Sequence, residues 1–257
     1  MIVVPPMGRT LLDVNDLSMR FASGKVALDG VSLSVRGGEF VTILGSNGSG
    51  KSTLLRCVAR LLHPTGGEIR VDDRDLTRLN GTALRRARRS VAMIFQHANL
   101  VRRRSVLANV ATGSLGHHTN VWTSLGMLPD SELNHAQRYL AEVGLAHLAG
   151  QRAGTLSGGQ AQRVAISRAL AQRPKVLLSD EPIASLDPHA AEEVMALLRR
   201  LATQEGLAVL CVLHQPELAE RYSDRVVGIR AGRLAFDLPA AQVSGGQVAG
   251  LYNSLAA

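Results

Sequence analysis

The stretch GSNGSGKS, residues 45 to 52, limits what this chain can fold into more than any other. It has the spacing Gly, four residues, Gly, Lys, Ser, preceded by the apolar run FVTIL at 40 to 44 and followed by TLLRCVARLL, which has helical apolar spacing. In a strand, glycine loop and helix of this kind, successive backbone N–H groups curl inward around phosphate oxygens. Lys51 is then expected to reach β- and γ-phosphates, and the Ser52 hydroxyl to ligate Mg²⁺. A glycine-rich turn with no ligand is the plain alternative, and the flanking strand and helix weigh against it.

Such a site needs a carboxylate at the end of a neighbouring strand, and VLLSDEP at 176 to 182 supplies two. Asp180 is expected to hold Mg²⁺ through its water shell, and Glu181 to polarise the attacking water. Alone, an Asp-Glu pair after a strand would be read as helix capping. Beside a phosphate loop the catalytic reading takes precedence.

The rest of the chain fits that core. FVTILG (40 to 45), KVLLSD (175 to 180) and LAVLCVLH (207 to 214) each precede a helical pattern, as in a parallel sheet covered by helices. LLDVNDLSMRF (11 to 21) and VALDGVSLSVRGG (26 to 38) alternate apolar and polar residues, which predicts a small antiparallel sheet. Between about 97 and 155 the strand pattern stops, and SELNHAQRYLAEVGLAHLA (131 to 149) predicts a helical insertion. VVGIRAGRLAFD (226 to 237) reads as two strands around an Ala-Gly turn. With 257 residues, 46% of them hydrophobic, the chain can bury one large core.

No apolar run approaches the roughly 18 residues of a membrane span, and the N-terminal MIVVPPMGRT lacks a leader pattern, so a cytoplasmic protein is expected. Cys57 and Cys211 lie in apolar segments without CxxC spacing, which predicts buried, inert thiols. The net charge of +8 suits an anionic partner, with arginines clustered at 84 to 89 and 101 to 104. Nucleic acid and lipid headgroups both fit that charge, but only 3% of residues are aromatic, which argues against a stacking platform for single strands. Solvated helix and loop faces are the plainer reading, and no nucleic-acid partner is expected.

The chain resembles the ATP-binding cassette (ABC) family, because five further elements fall in that family's order and spacing over nearly the whole chain. These are Phe21, Gln96 in MIFQH, LSGGQAQRVAISRAL (156 to 170), SLDP (185 to 188) and His214. The resemblance implies an α/β fold of the P-loop NTPase ABC ATPase type: a RecA-like parallel core (10–96 and 169–240) with an N-terminal antiparallel subdomain. A helical subdomain (97–168) and a C-terminal tail (241–257) complete it. It implies ATP hydrolysis with ATP and Mg²⁺, ATP being held by Phe21 and by Gly45, Ser46, Asn47, Gly48, Ser49, Gly50, Lys51, Ser52 and Thr53. Ser52, Gln96 and Asp180 would serve the metal, and Glu181, His214 and Gln96 the catalysis. Leu156, Ser157, Gly158, Gly159 and Gln160 would act on the nucleotide of a second copy, whose phosphate suits unpaired N–H groups and a positive dipole at a helix start. Ser185, Leu186 and Asp187 would line the homodimer interface.

One cassette with no membrane span resembles a separate transporter subunit. IFQHANLVRRRSVLANVATGSLG (94 to 116), residues 143 to 188 and residues 214 to 237 are similar to the ATPase subunit of phosphonate importers. His97-Ala98, Ser179 and Phe21 depart from that pattern. The resemblance implies two transmembrane permease subunits, a periplasmic or extracellular solute-binding protein, and a place on the cytoplasmic face of the inner membrane. An ATPase for another small solute, and a cytoplasmic component of a phosphonate-degrading complex, are the alternatives. A second SGGQ at 244 to 247 lacks the helix sequence that follows the first; its Ser and Gln fit a capping box that opens a short helix.

Overall fold

The alternating N-terminal pattern forms β1 (Thr10–Arg20) and β2 (Val26–Arg36), paired antiparallel. Along β1, beyond the buried Leu11, alternation buries Leu12 and Val14, then Leu17 and Met19, so the inward phase slips by one residue. The register shifts between Val14 and Leu17, where Asp16 takes a left-handed φ of 49°. This bulge keeps both apolar pairs on the core face. β4 (Gly66–Val71) and β5 (Arg74–Asp75) complete a four-stranded sheet in the order β2-β1-β4-β5. The computed structural model describes residues 8–118 and 128–252. Most of the N-terminal segment read for a leader, residues 119–127 of the helical insertion and the end of the tail lie outside the described residues.

The second sheet contains β3 (Phe40–Leu44), β6 (Val91–Ile94), β7 (Val176–Asp180), β8 (Ala208–Val212), β9 (Arg225–Arg230) and β10 (Arg233–Pro239). Its order is β10-β9-β3-β8-β7-β6, parallel except for the antiparallel edge pair β9–β10. Every residue of β3, β7 and β8 is buried, as strands covered on both faces should be. Phe40 and Leu44 enter one core, Val41 and Ile43 the other. Cys211 faces the first core and Cys57 the second, so the thiols are separated by the sheet. Burial pushes the Cys57 thiol up to about 11 and Cys211 further, which leaves both inert as expected. Ala231 and Gly232 close the β9–β10 hairpin with φ of 48° and 78°, the positive pair a two-residue loop favours.

Among the described residues the helices are α1 (Lys51–Val58), α2 (Gly81–Ala87), α3 (Val106–Ala111), α4 (Asp130–Glu142), α5 (Gly158–Ala171), α6 (Pro188–Glu205), α7 (Pro216–Tyr222) and α8 (Gly245–Tyr252). α3, α4 and α5 pack on one another through Val106, Val110, Ala136, Leu140, Val164 and Leu170. The helix expected over 131 to 149 is shorter in the structure: α4 stops at Glu142, Gly144 takes φ 73°, and a 3₁₀ turn covers Ala146–Leu148. A glycine in the left-handed region ends the helix and re-aims Leu145 and Leu148 into the same core. Arg85, Arg86 and Arg102 to Arg104 lie on exposed surface. Among the described residues no helix is long and apolar enough to cross a membrane.

Candidate active site

The phosphate-loop sequence leaves β3 and turns into α1. Gly48 and Gly50 hold φ of 77° and 109°. At Gly50 a Cβ would stand 2.4 Å from the Ala27 carbonyl oxygen, so the antiparallel sheet presses directly on the loop. Ala at 50 must adopt a disfavoured φ and displace backbone, whereas at Gly48 the added methyl meets open space. Gly50→Ala is expected to cost about 3 kcal/mol and Gly48→Ala about 1 kcal/mol, read from urea unfolding midpoints. The loop is tied from outside as well: Gly232 N–H donates to Ser49 O at 2.9 Å, and Asp29 N–H to Gly232 O at 2.9 Å.

Lys51 is 4% exposed and its ammonium donates to the carbonyls of Gly45 (2.7 Å) and Ser46 (2.9 Å). Burial lowers its pKa, and the Glu181 and Asp180 carboxylates work the other way. The buried Ser49 hydroxyl has no hydrogen-bond partner among the described residues. A glycine loop at a helix start, a buried cation and a spare hydroxyl are the features a polyphosphate takes up.

Strand order then brings the distant residues together. β8 lies between β3 and β7, so the loop after β3, His214 after β8, and Asp180 and Glu181 at the end of β7 share one edge of the sheet. That carboxyl edge is where open α/β sheets bind ligands. Ser52 Oγ donates to Asp180 Oδ1 at 2.9 Å. Asp180 is 7% exposed and burial raises its pKa, against the opposing hydrogen bond from Ser52. His214 Nε2 and Glu181 Oε1 are 2.5 Å apart. Glu181 takes a left-handed φ of 51°, held by its N–H bonding Val212 O at 3.2 Å. A non-glycine residue in that region is strained, and such strain concentrates at working sites.

Gln96 follows β6, beside β7, and is exposed. Its loop is held from behind by two side chains of α5 that sequence reasoning missed. Gln162, 3% exposed, donates to Phe95 O at 3.3 Å, and the Arg168 guanidinium donates to Asn99 O and Ala98 O, each at 2.8 Å. Their signal was polar residues set among the apolar positions of QRVAISRAL, where Gln162 and Arg168 stand beside Arg163 and Ser167. Phe21 lies at the β1–β2 turn, half-buried, its N–H bonding Lys25 O.

The first SGGQ opens α5 with a reciprocal cap: Gln160 N–H donates to Ser157 Oγ at 3.3 Å and Ser157 N–H to Gln160 Oε1 at 3.0 Å. Gly159 packs so closely on α6 that a Cβ would stand 2.8 Å from Ala190 Cβ, and a Cβ on Gly158 would meet Leu186 at 3.3 Å. Asp187 accepts from Ala190 N–H at 2.9 Å and caps α6, while Ser185 remains exposed. The Leu156–Gln160 segment and the 185–187 loop therefore form one surface. No hydrogen bond among the described residues joins that surface to the phosphate loop of the same chain.

Comparison with known proteins gives the family. The ABC transporter family model matches residues 28–184. The phosphonates import ATP-binding protein PhnC 1 of Rhodopseudomonas palustris is 47% identical over 231 residues, 90% of this chain and 82% of that protein. The phosphite import ATP-binding protein PxtA of Stutzerimonas stutzeri is 45% identical over 247 residues, 96% and 89% of the two chains. Among solved structures, the dimeric ATP-binding cassette MJ0796 bound to ADP and Pi is similar with a TM-score of 0.78 and 31% identity, over 90% of this chain and 99% of that one. CbiO1 from Clostridium perfringens, part of an ABC transporter complex, gives 0.81 and 30% over 93% and 92%.

Proposed function

This chain belongs to the ABC transporter family and hydrolyses ATP, and from that premise we propose that it drives import of phosphonate-like anions. The observation that carries the proposal is the convergence of phosphate loop, Asp180–Glu181, His214 and Gln96 at neighbouring strand ends, in a chain with close likeness to phosphonate and phosphite import ATPases.

In this reading the amides of residues 45 to 53 cradle the phosphates and Lys51 supplies their point cation. Phe21 stacks on the adenine. Ser52 and Asp180, whose oxygens already lie 2.9 Å apart, offer the hard donors that Mg²⁺ prefers, with Gln96 as a third. Bound there, Mg²⁺ would neutralise charge on the β- and γ-phosphates. Glu181 orients and polarises the attacking water, and His214 fixes that carboxylate and faces the γ-phosphate. Ser157 to Gln160, with Leu156, meet the nucleotide held by a second copy, because the helix start offers N–H groups and positive dipole that its own phosphate loop does not use. Ser185 to Asp187 join the two copies. ATP closes the dimer, hydrolysis releases it, and two permease subunits convert the opening into transport.

The ATPase does not touch the cargo, so selectivity resides in a solute-binding protein and the permease. The test is reconstitution of the complex in vesicles. Binding protein loaded with methylphosphonate or phosphite is expected to stimulate ATP turnover at least severalfold over sulfate-loaded controls. Equal turnover with all three anions would overturn the cargo assignment.

A further inference from the structure

The helix that opens at the first SGGQ grips β6 and the loop after it at three levels. Near its start, the buried Gln162 donates through Nε2 to Phe95 O at 3.3 Å. Farther along, the Arg168 guanidinium donates through Nη1 to Asn99 O and through Nη2 to Ala98 O, each at 2.8 Å. Just past the end of α5, Gln172 Nε2 donates to Val91 O at 2.6 Å and to Arg88 O and Arg89 O at 3.0 and 3.2 Å. All of these bonds end on backbone carbonyls, so they fix the path of the main chain and not the side chains it carries. Gln96 lies between two of the held points, one residue after Phe95 and two before Ala98, in a stretch that is neither helix nor strand.

A guanidinium is more than a simple loop tie requires. Arg168 is half-buried, burial lowers its pKa, and no carboxylate among the described residues acts on it. A neutral donor would hold one carbonyl with less desolvation. What the guanidinium adds is a rigid planar fork whose two nitrogens reach two consecutive carbonyls. Those carbonyls share one donor where Asn99 takes a left-handed φ of 49°, a conformation that asparagine tolerates better than most residues. The base of the fork is held as well: a Cβ on Gly113 would stand 2.0 Å from Arg168 O, so the turn after α3 packs directly on the Arg168 backbone.

We infer that Arg168 and Gln162 are positioning residues for Gln96: Gln162 fixes the main chain before it, the Arg168 fork fixes the main chain after it, and together they hold its loop in one body with α5. The inference rests on the reading of Gln96 as a metal and water contact in the ATP site. It has a consequence for the proposed dimer. The loop that carries Gln96 to one nucleotide and the helix start that faces the other copy's nucleotide cannot shift independently.

The test uses the full chain and steady-state ATPase kinetics, in a double-mutant cycle with Gln96→Ala. Arg168→Met keeps an apolar stem and removes both bonds. It is expected to lower kcat about tenfold, less than the ~10²-fold that misplacing a positioned group by ~1 Å can cost, with KM for MgATP within about twofold because the phosphate loop is untouched. Arg168→Lys keeps the charge and can still reach one carbonyl, so the loss should shrink to about threefold. Gln162→Met, which frees the Phe95 carbonyl, is expected to lower kcat by a similar threefold and decides the question by itself if the Arg168 variants do not fold. In the Gln96→Ala chain, adding either Met substitution is expected to change kcat by less than about twofold, since residues that act through one group do not add. A merely structural role would lower apparent kcat by the same factor in both backgrounds, and that result, or an unchanged kcat in the variants with Gln96 present, would overturn the positioning assignment alone. An unchanged kcat in Gln96→Ala would overturn the reading of Gln96 and the positioning role with it.

Discussion

Glu181→Gln is expected to bind ATP as tightly as the unsubstituted chain while turnover falls by about 10²–10⁴-fold, the usual scale for losing a positioned general base. The two side chains have nearly the same shape, so the contact with His214 Nε2, 2.5 Å in length, can be kept by the amide. What disappears is the negative charge that polarises water. In the proposed dimer ATP is then expected to close two copies against each other with no hydrolysis to reopen them. Size-exclusion chromatography with MgATP should show a stable dimer for the variant and a short-lived one for the unsubstituted chain. Turnover within threefold of the unsubstituted chain would remove Glu181 from the role of base and leave His214 as the stronger candidate.

Lys51→Ala is expected to lose ATP affinity by about 10²-fold or more, the range for removing one partner from a buried charge pair. The reason lies in the surroundings. The ammonium is 4% exposed, and burial lowers its pKa while Glu181 and Asp180 favour its charged form. Without it two carboxylates face the phosphates with no cation between them. Lys51→Arg should not restore binding, because a planar fork cannot occupy the space of a compact ammonium. Equilibrium binding of labelled ATP checks both variants, with circular dichroism confirming the fold. Affinity within fivefold of the unsubstituted chain for Lys51→Ala would sink the assignment.

Much of this site was legible because its parts are local. Strand, glycine loop and helix are consecutive in residues 40 to 60, and so are β7 and its Asp-Glu pair. The α5 cap needs only Ser157 and Gln160 three residues apart. Where the reading ran long, at residues 143 to 149, apolar spacing continued through Gly144, and a positive φ overrode periodicity. Gln162 and Arg168 were missed because their meaning depends on partners 67 and 69 residues away, which no local pattern encodes.

By itself the sequence determined which segments become strands and helices, the glycine loop between β3 and α1, and the chemical groups available at each strand end. Those follow from side-chain periodicity, glycine's access to positive φ and capping geometry, all properties of neighbouring residues. Only the tertiary structure decided that β8 inserts between β3 and β7, bringing His214 onto Glu181 and Ser52 onto Asp180. It also decided that one SGGQ packs beside the 185–187 loop while the other opens a helix whose Leu251 is buried in the larger core. Both copies make the same cap. Burial of Leu251 and the packing of Gly159 on Ala190, long-range contacts that alone fix where each helix points, give them different surroundings.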